Sequence, residues 1–495
     1  MTENILMEMN KTFTENAAVS NISTGSDCLD LFSVIGALRH EKKERIISSF
    51  IRAYTENADM AMKIIFFARD IREGLGEREI FRVIFRWLAE NEPESVKKNI
   101  EYVDEYGRYD DLLTLFDTPC EKQMLSFLRK HFYDDIGELE KGNNVSLLGK
   151  WLPSVNASNA KTVKMGKRMA RAFNLSDADY RKKVSALRAE INIIENHLRE
   201  MDYSFDYGKQ PSRAMLKYRK AFIRNDYKRY MDFISNVSSG RTRLHADNIY
   251  PYELVDKYID FEWDDDNCFM KKISVDEKEV LNAAWKALPD YGGSENAIAV
   301  IDTSGSMYSN SRPLPASVAL SLGLYFAERN KGIFANKFIE FSARPRLIEI
   351  KGNTFADRLR YISSFNEVAD TNIEAVFDLI LRAAVNNKVP QCELPRKLII
   401  ISDMEFNFCV NNASLTNFEN AKKKYETNGY KLPQIVFWNV DSRRCQQPVT
   451  MNEQGVILVS GVTPKIFSMI MGGEFSPYKF MTEILESERY SKITA

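Results

Sequence analysis

The sequence predicts a chain in two parts: an all-α helical-repeat region, then a doubly wound, Rossmann-like α/β domain. Three observations carry that expectation. Between residue 28 and about residue 290, apolar residues recur at helical spacing in segments separated by short polar breaks. Beyond that, short apolar runs without polar interruption appear at 297–301 and 398–402, as in strands buried on both faces of a parallel sheet. Amphipathic stretches alternate with these runs, the pattern of crossover connections in a mostly parallel sheet. The boundaries read as a polar arm over 1–27, a helical domain over 28–290 and an α/β domain over 294–487.

Composition narrows the class. The 495 residues are 44% hydrophobic and 28% charged, as in globular proteins, and long enough for two to four domains. No apolar run approaches the ~18 residues that span a bilayer. The first residues lack a basic stretch followed by an apolar core, so no secretion signal is expected. The six cysteines are scattered without a CxxC pair, which suggests reduced thiols and a cytoplasmic setting. The four histidines form no HExxH pair. The net charge of −1 hides an asymmetry: residues 150–244 carry 21 Lys and Arg against 9 Asp and Glu, a local +12. One strongly basic segment in a neutral chain points to a localised polyanion-binding face.

Taken in order, helical segments follow the arm at 33–53, 57–71 and 77–91, the last with Ile80, Val83, Ile84 and Trp87 on one face. Pro93 sits where a first-turn proline is tolerated and opens the next helix. After a break at Glu105-Tyr106-Gly107-Arg108, the pattern resumes over 109–116 and 124–139. Paired helices with short turns and no β-runs suggest an α-solenoid, although the period is not crisp. A helix over 159–173 carries Lys161, Lys164, Lys167, Arg168 and Arg171 at spacings that keep most on one face. Ser176 and Asp179 form an N-cap pattern for the next helix, which carries Lys182 and Arg188. A third basic cluster contains Arg213, Lys217, Arg219 and Lys220. Tyr218, Tyr227 and Tyr230 are interleaved among these cations, which suits single-stranded nucleic acid, where bases stack and phosphates pair with Lys and Arg. Solvated helix faces are the plainer alternative. The acidic run Asp264-Asp265-Asp266 reads as a solvated loop rather than a metal cluster. A helix over 276–287 then leads to a linker at 289–293.

The α/β domain opens on AIAVIDTSGSM. Asp302, Ser304 and Ser306 stand at n, n+2 and n+4 just past a strand, at the edge where open α/β sheets bind ligands. A carboxylate and two hydroxyls supply part of the oxygen shell that Mg2+ or another divalent cation requires. The second buried run ends in Asp403, and Thr371 precedes the amphipathic stretch 373–387. Taken together, these residues resemble the metal-ion-dependent adhesion site (MIDAS) of von Willebrand factor A (vWA) domains. The resemblance implies a metal set of Asp302, Ser304, Ser306, Thr371 and Asp403, with a partner's carboxylate completing the shell.

A second resemblance covers the helical part. The residues Ala68-Arg69-Asp70-Ile71-Arg72 and Glu105-Tyr106-Gly107-Arg108-Tyr109-Asp110-Asp111-Leu112 are similar to the TROVE module, as are Lys150-Trp151-Leu152-Pro153 and Pro211-Ser212-Arg213. A TROVE-like region followed by a vWA domain resembles Ro proteins, and more closely a bacterial, phage and plant family of Ro-like proteins. It implies a ring or horseshoe of HEAT-like helix pairs, a ribonucleoprotein role, and binding of small non-coding RNA or single-stranded RNA ends. The candidate RNA contacts, chosen by charge and pattern, are Lys161, Lys164, Lys167, Arg168, Arg171, Lys182, Arg188, Arg213, Lys217, Arg219 and Lys220. No nucleophile–base pair or phosphate-binding P-loop is present, so no catalytic residue and no enzyme activity are expected. The alternative is a metal-dependent protein-interaction scaffold that binds an acidic side chain of a partner without RNA.

Overall fold

A computed structural model of the chain describes residues 8–191, 193–262, 267–293, 296–308, 312–342, 344–365, 372–406, 417–444, 446–473 and 475–495. It resolves into two compact units: Met1–Asn57 with Pro211–Ser487, and Ala58–Gln210 with Glu488–Ala495. These units cut the chain differently from the linear boundaries read above, because residues 8–57 pack with the sheet-containing part and the last eight with the helical part.

Residues 8–25, read as arm, carry a hairpin of β1 (Lys11–Phe13) and β2 (Val19–Asn21). Strands of three residues are too short to show alternation. What holds them is pairing distant in sequence: Asn21 N donates to Gln447 O (2.9 Å) and Gln447 N returns to Asn21 O (2.8 Å). The helices α1 (Asp27–Val34) and α2 (Lys43–Glu56) follow, with Ser26 capping α1 through the Leu29 amide.

The second unit is helical. Its elements are α3 (Ala58–Arg69), α4 (Glu79–Asn91), α5 (Pro93–Asn99), α6 (Val103–Tyr106), α7 (Glu121–Glu140), α8 (Leu148–Trp151), α9 (Ala160–Ala172), α10 (Asp177–Ile191) and α11 (Ile194–Arg199). Of the residues that carry the resemblance noted above, Arg69, Asp70 and Asp111 lie in its interior. Asp111, fully buried, accepts from Arg69 Nε (2.7 Å) and Arg82 Nε (2.7 Å), while Asp110 takes Arg82 Nη2 (2.7 Å). Gly107 is required beside this pair, since a Cβ there would lie 2.5 Å from Asp111 Oδ2 and 2.9 Å from Arg69 Nε. The C-terminal residues close the unit. Arg489 Nε donates to buried Asp70 (2.8 Å), and Tyr490 stacks on Tyr106 with ring centres 5.7 Å apart.

The chain then returns to the first unit through α12 (Ser212–Asn225) and α13 (Tyr227–Ser238), a second hairpin of β3 (Ile259–Glu262) and β4 (Asn267–Met270), and α14 (Val275–Lys286). The acidic run Asp264-Asp265-Asp266 lies outside the described residues. Next come β5 (Ala297–Asp302), α15 (Pro315–Arg329), β6 (Lys337–Phe341), β7 (Arg346–Glu349), α16 (Phe355–Ser363), α17 (Ile373–Asn387), β8 (Lys397–Ser402), α18 (Asn417–Thr427), β9 (Gln434–Asn439), β10 (Val456–Ser460), α19 (Ile466–Ile470) and α20 (Pro477–Leu485).

The six strands form one sheet in the order β10-β9-β8-β5-β6-β7, parallel except for edge strand β7. Helices cover both faces. Ile298, Val300, Leu398 and Ile400 join a core with Phe377 of α17 and Tyr425 of α18. On the other face Ile301 meets α15 at Gly323, where a Cβ would stand 2.2 Å from Ile301 Cδ1. Strand order reverses between β5 and β8, and the crevice past their carboxyl ends is where such sheets place a ligand site.

Candidate metal centre and cationic helix faces

The register that sets Ile301 against Ile401 brings Asp302 and Ser402 to the same edge of the sheet. Asp302 is fully buried, and its oxygens accept from Ser402 Oγ (2.6 Å) and the Ser304 amide (2.9 Å). The Ser304 and Ser306 hydroxyls lie 3.1 Å apart. Asp403, 2% exposed, accepts the Glu405 amide on Oδ1 (3.2 Å). Among the described residues its Oδ2 has no hydrogen-bond partner, and Arg443 Nε stands 3.9 Å from it. Met404, between the two acids, takes the left-handed conformation at φ 66°. Thr371 lies outside the described residues.

The electrostatics follow from the burial. Loss of water raises the Asp302 carboxyl above its ordinary range, and the hydrogen bonds from Ser402 and Ser304 only partly offset this. Burial and then the charge of Asp302 push Asp403 up to about 7, against the opposing pull of Ser306, the Glu405 amide and Arg443. A divalent cation would relieve both effects. The donors are hard oxygens and one buried carboxylate oxygen is unsatisfied, so Asp302, Ser304, Ser306 and Asp403 fit Mg2+ by donor type. Among the described residues, no group of three or more His, Cys, Asp or Glu side chains offers a different kind of metal cluster.

Sequence reasoning passed over three neighbours. Ser402 fixes Asp302, Glu405 orients the loop after Asp403, and Arg443 touches the site while donating to Ser306 O (3.1 Å). None belongs to a motif. The signal available was topological: Ser402 and Glu405 lie at or just past the carboxyl end of β8, beside β5, and Arg443 lies past the carboxyl end of β9, one strand further out.

The cationic candidates separate by burial. On α9, Lys161, Lys164, Lys167 and Arg171 are exposed, whereas Gly166, Met169 and Ala170 face inward, and the helix contains no acidic residue. Arg168 is tied to Asp117 (2.7 Å) and to Glu121, with its guanidinium over the Phe116 ring. Lys167 lies 3.7 Å from Asp177. Lys182 of α10 is exposed. In the other unit Lys217 and Lys220 are exposed, and Arg213 pairs with Glu253 (3.2 Å) over the Tyr250 ring.

Two candidates point inward. Arg219 is 3% exposed, with Glu277 at 2.8 Å and Tyr258 OH at 2.7 Å. Arg188 donates to Gly149 O, Leu152 O and Ser154 Oγ, and so holds the turn around α8. The guanidinium of Arg219 is buried against an acid, and that of half-buried Arg188 is engaged by two carbonyls and a hydroxyl, so neither presents free donors at the surface as the charge-based reading expects.

A family model described as a domain of unknown function, DUF2828, matches residues 14–130 and 158–290, just over half of the chain. The chain belongs to the DUF2828 family. The DUF2828 match takes in the cationic helix α9, whereas a second domain of unknown function, DUF7788, matches 296–492 and contains Asp302 and Asp403. The chain is similar to uncharacterized protein L728 of Acanthamoeba polyphaga mimivirus, 27% identical over 519 residues, which cover 96% of this chain and 87% of that protein. Among solved structures, the Ro (RSR) protein of Deinococcus radiodurans aligns over 90% of this chain and 99% of its own, at 12% identity and a TM-score of 0.49. Among the described residues, no helix is long and apolar enough to cross a membrane.

Proposed function

We propose that this DUF2828 protein binds RNA in the manner of Ro-like proteins, in a cytoplasmic setting, and carries a divalent cation at the Asp302–Asp403 edge of its sheet. The observation that carries the RNA reading is α9. Its exposed face bears Lys161, Lys164 and Arg171, with no acid on the helix to neutralise them, and Lys167, which faces Asp177 of α10. Such a face pairs with phosphates and gains affinity by releasing their counterions. In the other unit, and separately from the α9 face, exposed Tyr227 beside Lys228 and Arg229 offers a ring on which a base can stack. Arg188 and Arg219 are not part of the proposed surface. The ligand class is a small structured RNA or a single-stranded RNA end, and no catalytic step is assigned to the chain.

The cation would be held by Asp302, Ser304, Ser306 and Asp403. When bound, it supplies a positive centre with open positions for an acidic group. The unsatisfied Asp403 Oδ2 supports a second role, docking a protein partner's carboxylate at that centre.

The test is binding of a single-stranded RNA oligonucleotide, followed by fluorescence anisotropy across a potassium chloride series. With three phosphate contacts, from Lys161, Lys164 and Arg171, affinity should fall with salt at a logarithmic slope of about −2, from roughly 0.7 per contact. Replacing Lys161, Lys164 and Arg171 together by Glu should abolish binding. Salt-independent binding, or none by the wild-type chain, removes the RNA reading.

A further inference from the structure

We propose that Glu15, at the tip of the β1–β2 hairpin, is a built-in acidic occupant of the metal rim held there by Arg443, and that an acidic protein segment binds the rim by displacing it. The inference rests on the cation reading of Asp302 and Asp403 given above.

The hairpin tip is fastened to the segment that follows Asp403. Thr14 Oγ1 donates to Phe406 O (2.5 Å), Asn16 Nδ2 to Glu405 O (2.7 Å), and the Glu15 amide to a Glu405 carboxylate oxygen (2.7 Å). Gln446 Nε2 donates to the other oxygen of that carboxylate (2.8 Å). The backbone of the tip is therefore fixed, while the Glu15 side chain is half-exposed and reaches Arg443 Nη1 at 3.4 Å. Arg443 faces both ways: its remaining nitrogens lie 3.1 Å from Ser306 O and 3.9 Å from Asp403 Oδ2. The Arg443 carbonyl is itself held by Arg45 Nη1 (2.6 Å).

The hydrogen bonds say which acid can exchange. Asp302 and Asp403 face the cation, and both oxygens of buried Glu405 are engaged, one by the Glu15 amide and the other by Gln446. The Glu15 carboxylate is the exposed acid that reaches Arg443, and its place is the one an incoming acid takes. An ion pair this exposed is weak and exchanges readily, so a better-placed acidic side chain takes its position. Arg443 thus acts as a ligand-binding residue beside the cation, and the hairpin as its competitor.

The experiment uses the full chain with saturating Mn2+ and a fluorescein-labelled hexaglutamate peptide, read by anisotropy. Glu15→Gln should bind the peptide about fivefold tighter, because the site is no longer pre-occupied. Arg443→Gln should weaken it about tenfold, and Arg443→Lys should restore part of the loss. Hydrogen exchange of residues 11–21 should rise when peptide binds the wild-type chain. Calorimetric titration of the wild-type chain with Mn2+ separates the two ways of failing. Without Mn2+ binding, both the cation reading and this inference fall. With Mn2+ bound, peptide affinity unmoved by Glu15→Gln or by Arg443→Gln overturns the inference alone. So does binding that favours a single-stranded RNA oligonucleotide over the peptide.

Discussion

Each of the two units buries a pair of carboxylates, and the two pairs are built on opposite plans. In the helical unit the chain supplies its own cations. Asp111 receives Arg69 and Arg82, and Asp70 receives Arg489 and the Tyr490 hydroxyl (3.2 Å). In the α/β unit Asp302 and Asp403 receive hydroxyls and amides, and the cation in view, Arg443, is 3.9 Å from a carboxylate oxygen that lacks a hydrogen bond. Burying an uncompensated charge is expensive, and the cost is met either by protonation, toward which burial pushes both Asp302 and Asp403, or by a cation. The contrast separates buried acids that the chain itself satisfies from buried acids that it leaves partly unsatisfied. Asp70 and Asp111 belong to the first kind, and Asp302 and Asp403, the acids of the proposed cation site, to the second.

Breaking the compensated pair should have the larger effect. Arg69→Ala or Asp111→Ala strands a buried charge, at about 3–5 kcal/mol. Hydrogen exchange of peptides from residues 58–210 should show the loss confined to the helical unit, since unfolding of a two-unit chain need not be a single transition. If either variant keeps wild-type protection, the network is decorative. The uncompensated pair should behave in the reverse sense. Asp403→Asn removes one of two repelling carboxylates and should leave the metal-free protein as stable as wild type or more so. In exchange it should lose the gain that the wild type shows on adding Mg2+, about 2.7 kcal/mol at one hundred times the dissociation constant. Thermal melts with Mg2+ and with EDTA read both quantities. A metal-free Asp403→Asn protein that melts well below wild type would contradict the contrast.

Most of the architecture was legible because its signals are local. The runs at 297–301 and 398–402 became β5 and β8 to within one residue, since a strand buried on both faces tolerates no polar interruption. The arm was not legible, because β1 and β2 are three residues long and depend on Gln447, more than four hundred positions away. The site divides in the same way. Asp302, Ser304 and Ser306 share one loop and read as a motif, while Ser402, Glu405 and Arg443 reach it only through the parallel register of β5, β8 and β9. Arg219 shows the limit of counting charges. It sits at helical spacing between buried Met215 and Phe222, so the apolar stripe of α12 already marked it as an inward residue.

The smallest effects on stability should come from the cations that the surface leaves exposed, and they extend the contrast to RNA. Lys164 and Arg168 are four residues apart on α9, yet Lys164 is exposed and Arg168 is bound to Asp117 and Glu121. Replacing exposed Lys164 by Ala should barely move the melting midpoint. It should nevertheless reduce the salt slope of RNA binding by about 0.7, the loss of one phosphate contact. Arg168→Ala should leave the slope unchanged, because a guanidinium held by two acids has no charge to lend to a phosphate. Equal loss of slope in both variants would mean that the Asp117–Arg168–Glu121 cluster opens on binding. Compensation within the chain would then be a poor guide to which cations serve a ligand.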